Sequence, residues 1–180
     1  MEIVDVFQQL LNRIENEVVE FKEAKNDFDS SKLGKYFSAI SNEANLKRKA
    51  YGWLIFGVED KKHQIVGTQY RNSAKSLESL KGEISRKTTE QISFIEIYEL
   101  QQEGKRVLMF QIPAAPRGIP IAFGGHYYAR NGEELVPLHI EKIERIRKQL
   151  VLEDWSAEIV EGAMIDDLEK EAIQKARQLY

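Results

Sequence analysis

The sequence predicts an α+β fold in which a mixed, largely antiparallel sheet is flanked by helices and followed by a C-terminal helical tail. Apolar residues recur at helical spacing in some segments and at alternating or continuous positions in others. These segments do not alternate as the strand–helix units of a parallel sheet do. Several extended segments are instead separated by short turns, which favours antiparallel hairpins.

Four segments within residues 1–150 have the apolar spacing of helices. The second follows a turn at residues 26–31 whose side chains offer several N-caps. Beyond Trp155, Ser156 caps one short predicted helix, and residues 165–168 lead into another. The apolar positions that mark the four helices are Val6, Leu10 and Ile14; Leu33, Phe37 and Ile40; Leu77, Leu80 and Ile84; and Ile140, Ile143, Ile146 and Leu150.

The predicted strands begin with a short extended segment at residues 18–22. Residues 52–58 are the most apolar run of the chain and are predicted to form a buried central strand. The turn at 59–62 is predicted to connect it to a second strand at 64–68, which pairs with it as a hairpin. A second hairpin is predicted from strands at 92–97 and 107–112 around the turn at 102–105. A third is predicted from strands at 126–130 and 134–136 around Asn131-Gly132, a favoured hairpin dipeptide.

The composition restricts the chemistry of the chain. Its 180 residues contain no cysteine, which excludes disulfides, thiolate zinc sites and cysteine nucleophiles and agrees with a reducing compartment. The first residues carry acids and lack the basic segment of a signal peptide. No apolar run reaches the roughly 20 residues that a membrane span needs. We therefore expect a cytoplasmic protein with no membrane partner.

The net charge of −3 is unevenly distributed along the chain. Residues 151–180 hold eight acids and three bases, a charge of −5, whereas residues 1–150 hold 23 bases and 21 acids and carry +2. The chain is accordingly divided into a domain at 1–150 and an acidic helical tail at 151–180. The tail is either a linker to a missing C-terminal domain or a helix packed on the same core. A nearly neutral body binds phosphates only through a local basic patch.

Five short motifs occur in a fixed order along the domain. In this sequence they are Val19-Glu20-Phe21-Lys22-Glu23; Ala39-Ile40-Ser41-Asn42; Ile55-Phe56-Gly57-Val58-Glu59-Asp60 with Ile65-Val66-Gly67-Thr68; Gln111-Ile112-Pro113 with Pro120; and Tyr127-Tyr128-Ala129-Arg130-Asn131-Gly132. Each motif alone is weak, but their shared order resembles the Schlafen AlbA-2 domain, once grouped as a divergent AAA domain (AAA-4). The resemblance extends over residues 10–147.

The resemblance implies a DNA- or RNA-binding domain at the N-terminus of a larger bacterial protein, described as a transcriptional regulator or as related to the RecG helicase. It also implies a second activity, because three acids of some animal Schlafen members cut RNA with a divalent metal. The sequence departs from the family pattern where a double glycine is replaced by Tyr51-Gly52. The preceding residues, 45–50, form the most basic cluster of the chain, and a ligand approaching the backbone through the usual glycines is not expected there.

Carboxylates supply the candidate catalytic and metal-binding residues. By motif order, Glu15, Glu20 and either Glu59 or Asp60 match the Schlafen-like nuclease triad, with Glu15, Glu20 and Asp60 holding Mg²⁺ or Mn²⁺ through oxygen ligands. Glu20-x-Lys22 is similar to the Glu-x-Lys pair of metal nucleases, in which the lysine steadies the attacking water. The alternative is that Glu20 and Lys22 lie on a solvated strand edge and that Glu59 and Asp60 only form a turn.

Basic side chains supply the candidate nucleic-acid contacts. Three of them form one loop after the second helix, and Arg130 stands at a strand end beside a tight turn. Such residues contact phosphates without reading the base sequence. The alternative is an ordinary exposed loop that is basic by chance. The predicted contacts are Lys47, Arg48, Lys49, Arg117 and Arg130, with Lys22 and Arg71 as further candidates.

The aromatic residues and histidines contribute two further expectations. Trp53 and Phe56 are expected in the core, whereas one of Tyr127 and Tyr128 is expected to face outward and is the better candidate for stacking on bases. The three histidines are far apart and share no ligand spacing, so no zinc site is predicted.

Three functions are compatible with these patterns. The first is a nucleic-acid-binding module, for either DNA or RNA, that requires no cofactor. The second is a (ribo)nuclease that requires Mg²⁺ or Mn²⁺. The third is a protein-interaction or dimerisation module in which strand edges and the acidic tail bind another chain, including a second copy in a homodimer.

Overall fold

The computed structural model describes residues 2–12 and 17–150. The predicted α+β class is confirmed, because helices and strands are intermixed and the described strands form a four-stranded mixed sheet and a three-stranded antiparallel sheet. Residues 14 and 15 and the predicted acidic tail at 151–180 lie outside the described residues. The elements are α1 (Ile3–Leu11), β1 (Val19–Lys22), α2 (Ser30–Leu46), β2 (Tyr51–Phe56), α3 (Ala74–Ser85), β3 (Glu96–Gln102), β4 (Lys105–Pro113), β5 (Ala122–Phe123), β6 (His126–Asn131), β7 (Glu134–Pro137) and α4 (Ile140–Arg147), with 3₁₀ turns at Thr89–Gln91 and Lys148–Leu150.

The larger sheet has the strand order β1-β2-β4-β3. Strand β1 is parallel to β2, and the other pairs are antiparallel. The central strand β2 is buried on both faces, as its continuous apolar run predicts. Trp53 packs in a cluster with Phe7 and Leu10 of α1, whereas Leu54 packs in a second cluster with residues of α2 and α3, such as Leu80. The larger sheet is therefore covered by helices on each face.

Helix α2 contacts both sheets and is the central element of the domain. Its first turn is capped by Asp29, and almost all of residues 33–45 are buried. Because these residues are buried, several polar ones, namely Ser38, Asn42 and Asn45, donate to backbone carbonyls of neighbouring segments. Asn42, for example, donates hydrogen bonds to the carbonyls of Ile121 (2.9 Å) and Tyr128 (3.0 Å). The Asn42 side chain thus attaches α2 to the smaller sheet, whose strand order is β5-β6-β7.

Gly52 allows β1 and α2 to approach β2 closely. A Cβ atom at this position would lie 2.6 Å from the carbonyl oxygen of Val18 and 2.4 Å from the side chain of Ile40. Both distances are far inside van der Waals contact. The second residue of the Tyr51-Gly52 pair therefore has a packing role, whereas Tyr51 is exposed.

The prediction of a strand at residues 64–68 is wrong, because the structure has no strand there. Only an isolated antiparallel bridge joins Val58 to Ile65. Gly57 and Gly67 have φ angles of +90° and +83°, and the amide N–H of Gly67 donates to the carbonyl of Gly57 (2.9 Å). The chain therefore turns directly after β2 and again within the predicted strand, because these glycines adopt backbone conformations that do not continue a ladder.

The other two hairpins are confirmed, with one shift. Strands β6 and β7 pair around Asn131-Gly132 as predicted, and β3 pairs with β4 around the turn at 102–105. Strand β3 begins at Glu96, later than the predicted 92, because the segment before it belongs to a turn. The Thr88 hydroxyl donates to the carbonyl of Ile92 (2.6 Å) and holds that turn in place.

The helices of the described residues are too short or too polar to act as membrane spans.

Candidate nucleic-acid interface

Asn45, near the C-terminal end of α2, joins three segments of the chain. Its side-chain amide donates to the carbonyl of Ala115 (2.7 Å) and to Oε1 of Gln149 (2.9 Å), and its Oδ1 accepts from the amide of Gln149 (2.8 Å). The backbone N–H of Ala114 also donates to the carbonyl of Ala50 (3.0 Å). The loop after β4 and the segment after α4 are therefore held against the end of α2.

Each of the three segments carries basic residues beside these contacts. Three follow the end of α2, one follows Pro116 in the loop after β4, and three lie in the last turn of α4 and just beyond it. All seven are exposed to solvent. We call them the basic surface: Lys47, Arg48, Lys49, Arg117, Arg145, Arg147 and Lys148.

Acidic residues neutralise only part of the basic surface. Glu17 lies 2.9 Å from the ammonium of Lys47, and Glu144 lies 3.8 Å from that of Lys148. The hydrogen bond from Lys47 lowers the pKa of the Glu17 carboxyl, so this pair stays ionised. The remaining members, Arg48, Lys49, Arg117, Arg145 and Arg147, form no ion pair with any residue that the structure describes. The surface therefore keeps a local positive charge on a nearly neutral body.

The loop after α2 is held in one conformation by its backbone. The N–H groups of Lys47, Arg48 and Lys49 donate to the carbonyls of Glu43 (2.9 Å), Asn45 (3.0 Å) and Ala44 (2.8 Å), respectively. Arg48 adopts a positive φ of 55°. Because the backbone is fixed, the three side chains leave the loop from defined positions.

The predicted carboxylate site forms a network of ion pairs. Glu20 is 1% exposed and contacts both the ammonium of Lys22 (2.7 Å) and the guanidinium of Arg130. Lys22 also forms an ion pair with Asp60. Arg130 is buried and donates from Nη1 to the carbonyl of Val19 (2.6 Å). Two acids and two bases thus balance one another.

The position of Arg130 does not fit the predicted phosphate contact. Its side chain is 0% exposed, because it extends inward from β6 to β1. Lys22 is likewise engaged with two carboxylates, and Arg71 forms an ion pair with Glu83 (2.6 Å). None of these three side chains belongs to the basic surface.

Lys22 stays protonated in this environment. Burial lowers the pKa of its ammonium, but the hydrogen bonds to Asp60 and Glu20 raise it, and the pKa lies above its ordinary value. The ammonium therefore remains a cation between the two carboxylates.

The described part of the predicted metal site does not fit a divalent cation. Lys22 occupies the space between Glu20 and Asp60, and a second cation there would face both Lys22 and Arg130. Within residues 2–12 and 17–150, no group of three or more acids and histidines is placed to hold a metal. Glu15 lies outside the described residues, and Glu59 forms the turn with Asp60, its N–H donating to the carbonyl of Gln64 (2.9 Å).

Asp60 and the basic loop lie beyond opposite ends of β2, and Glu20 pairs with Leu54 within the strand. Lys49 lies two residues before Tyr51, the first residue of this strand, whereas Asp60 lies four residues after its last residue, Phe56. A strand of this length spans roughly 17 Å. The structure therefore does not bring the predicted catalytic acids and the predicted basic loop together.

The aromatic predictions are partly confirmed. Trp53 and Phe56 are buried in the core, as expected. Tyr127 and Tyr128 are both half-buried, so neither is the outward-facing side chain that alternation predicts. Among the aromatic residues that the structure describes, the exposed one is instead Tyr51, which is 41% exposed.

Sequence reasoning missed Arg145, Arg147, Lys148 and Tyr51. These three basic residues lie about a hundred residues from Lys47 in the chain. Tertiary contacts between α2 and the end of the described chain bring them together, among them the hydrogen bond between Asn45 and Gln149 and the ion pair between Glu43 and Lys142. The sequence did carry one signal for them, since the predicted helix at 140–150 ends in a run of bases.

Comparison with known proteins agrees with this fold. The family model described as Schlafen, AlbA_2 matches residues 15–139. No curated protein sequence matches the chain.

Two solved structures are similar to the chain. The DIP2311 protein of Corynebacterium diphtheriae is 20% identical to this chain, with a TM-score of 0.58. The match covers 98% of this chain but 33% of that protein, so the chain spans about a third of the protein's length. The N-terminal domain of a RecG-related protein from Nitrosomonas europaea is 20% identical with a TM-score of 0.48; the match covers 77% of this chain and 95% of that domain. At this identity the first likeness supports the fold alone. Because the family model covers more than half of the sequence, the chain belongs to the Schlafen, AlbA_2 family.

Proposed function

We propose that the chain is a DNA- or RNA-binding domain that contacts phosphates through the basic surface. The observation that carries this proposal is the hydrogen bonding of Asn45, which holds three separate segments with basic side chains next to one another. Lysine and arginine side chains that neutralise phosphates supply affinity without sequence readout. Membership of the family agrees with this role, because the resemblance implies nucleic-acid binding within a regulator or a helicase-related protein.

The proposed contacts differ from those expected from the sequence. The proposal no longer includes Arg130 and adds the basic residues at the end of α4. It keeps Lys47, Arg48, Lys49 and Arg117. A carboxylate-centred site is less suited to a polyanion, because Glu20 and Asp60 would repel phosphates approaching Lys22. The basic surface is therefore the better place for the ligand.

Fluorescence anisotropy with short labelled DNA and RNA tests the proposal. We expect the wild-type chain to bind at low salt and to lose affinity steeply as salt increases. The double variant Arg48→Ala/Lys49→Ala should bind more weakly, and its slope of log K against log salt should fall by about one for each lost phosphate contact.

The matched control is Lys61→Ala/Lys62→Ala. These two exposed lysines follow the opposite end of β2, and their removal changes the net charge by the same amount. We expect the control to keep near wild-type affinity. An absence of wild-type binding at low salt, or an equal loss in both variants, would overturn the proposal.

Light scattering tests the protein-interaction alternative. The predicted homodimer stays a prediction, and its mass would be that of two copies of the 20.8 kDa chain. A dimer that has no affinity for DNA or RNA would favour this alternative over nucleic-acid binding.

A further inference from the structure

A cleft of about 440 Å³ lies beside the basic surface, between α1 and the starts of β1 and β2. Its walls are largely apolar and include Leu10, Val18 and Trp53. Lys49 and Tyr51 also line it, and both are exposed. The cleft therefore combines apolar walls, one exposed aromatic ring and one positive charge.

Tyr51 is unusual among the aromatic residues. Of the Phe, Trp and Tyr side chains in the described residues, it alone is exposed, at 41%. Its ring packs against Trp53 with the centroids 5.5 Å apart and the planes at 80°. Trp53 is in turn buried and packs beside Tyr98 (6.1 Å). The Tyr51 ring is therefore supported from within while part of it faces solvent, so little conformational freedom remains to be lost on stacking.

We infer that this cleft accepts an unpaired nucleobase, which stacks on Tyr51 while Lys49 contacts a neighbouring phosphate, so that the chain prefers single-stranded nucleic acid to a duplex. The inference rests on the proposed function, which supplies the phosphate contacts. It adds the ligand class, a strand whose bases are free to leave the stack.

The chemistry of the cleft favours a base over other occupants. Each base has a flat, weakly polar face that stacks on an aromatic ring regardless of sequence. The walls formed by Leu10, Val18 and Trp53 suit such a face. The ammonium of Lys49, two residues from Tyr51, suits the phosphate to which the base is attached. A paired base inside a duplex is stacked on both sides and does not reach the ring.

Anisotropy measurements with three ligands of equal length test the inference. They are an oligothymidine single strand, a strand of the same phosphate number that lacks bases, and a duplex. We expect the wild-type chain to bind the oligothymidine most tightly. Tyr51→Ala should weaken this binding about tenfold and leave binding of the abasic strand unchanged. Tyr51→Phe, which keeps a stacking ring, should retain wild-type affinity.

Two control variants separate stacking from other effects. Ile95→Ala removes an exposed apolar side chain outside the cleft and should change no affinity. Lys49→Ala should weaken the binding of all three ligands, because it removes a phosphate contact. Circular dichroism of Tyr51→Ala should match that of wild type, since the side chain lies at the surface.

The outcomes distinguish the inference from the proposed function. Equal binding of oligothymidine by wild type and Tyr51→Ala, or equal wild-type affinity for the strands with and without bases, overturns the stacking inference and leaves phosphate binding intact. An absence of binding to all three ligands by wild type overturns the proposed function and the inference with it.

Discussion

At the scale of single residues, the interior of the domain holds an ion pair in which the guanidinium of Arg130 is buried against the carboxylate of Glu20. The place of Arg130 beside a tight turn predicted a surface cation instead. The alternation of Glu20 and Lys22 likewise suggested a solvated strand edge, yet Glu20 is 1% exposed. Local patterns report the type of a residue, whereas burial depends on the partner strand, which is distant in the sequence.

Removing one member of this buried pair should be costly. Arg130→Met keeps much of the side-chain volume but leaves Glu20 with less compensation, and we expect the free energy of unfolding to fall by about 3–5 kcal/mol. Urea denaturation measures the change. The double variant Glu20→Gln/Arg130→Met should be more stable than Arg130→Met alone, because no uncompensated carboxylate remains. A single variant as stable as wild type would contradict the buried pair.

The balance of charges around Lys22 predicts a weak response to metal. A ligand that binds only the folded state raises the melting temperature. Because Lys22 lies between Glu20 and Asp60, we expect millimolar Mn²⁺ to leave the melting temperature of wild type unchanged. The test is a thermal melt with and without Mn²⁺, beside Asp60→Asn. An increase that this substitution removes would instead support the predicted metal site and justify an RNA-cleavage assay.

At the scale of elements, the sequence predicted strands and helices best where a local signal determines them. The continuous apolar run of β2 and the Asn131-Gly132 turn were sufficient for their elements. The strand predicted at 64–68 does not form because Gly57 and Gly67 turn the backbone before and within it, although Ile65 and Val66 are apolar enough for a strand. The central position of α2 was not predictable, since it depends on packing between two sheets.

Two glycine substitutions test this packing. Gly52→Ala places a Cβ atom 2.6 Å from the Val18 carbonyl, and we expect the resulting backbone shift to cost about 1–3 kcal/mol. Gly82→Ala in α3 is the control, because its Cβ would meet only the end of Arg86 at 3.4 Å. That control should gain up to about 1 kcal/mol from helix propensity. Denaturant titration of both variants checks the two signs, and equal stability of the variants would contradict the close approach.

The ion pair between Arg71 and Glu83 fastens the segment before α3 to that helix and should make stability depend on pH. The hydrogen bond from Arg71 lowers the pKa of the Glu83 carboxyl below its ordinary value. A lowered carboxyl pKa contributes stability above the unfolded-state pKa and loses it as pH falls through the folded-state value. We therefore expect Glu83→Gln to be less stable than wild type at neutral pH, by about 0.5–1 kcal/mol for this partly exposed pair. The difference should vanish in acid; a difference that persists there would have another cause.

At the scale of the whole domain, part of the candidate interface was predictable. The cluster at Lys47, Arg48 and Lys49 stands out by local charge density alone. The contribution of α4 was not predictable, because it depends on tertiary contacts that return the chain to α2, among them the Asn45–Gln149 hydrogen bond and the Glu43–Lys142 ion pair. The charge of the sequence segment at 47–49 is therefore smaller than that of the folded surface, to which distant segments also contribute.

The contribution of α4 to binding is a separate prediction. If phosphates contact the whole basic surface, Arg145→Ala/Arg147→Ala should lower affinity for DNA or RNA about as much as Arg48→Ala/Lys49→Ala, with a similar decrease in the salt slope. Anisotropy titrations at several salt concentrations measure both quantities. A double variant in α4 that binds like wild type would restrict the interface to the loop after α2 and Arg117.

The contact between Arg130 and Glu20 has a consequence for how the domain opens. It joins β6 of the smaller sheet to β1 of the larger one, across the interior. If either sheet separated alone, one charge of the pair would remain buried without its partner, so partial opening is disfavoured. Amide protons of β1 and β6 should therefore exchange with solvent at a common rate, as members of one cooperative unit.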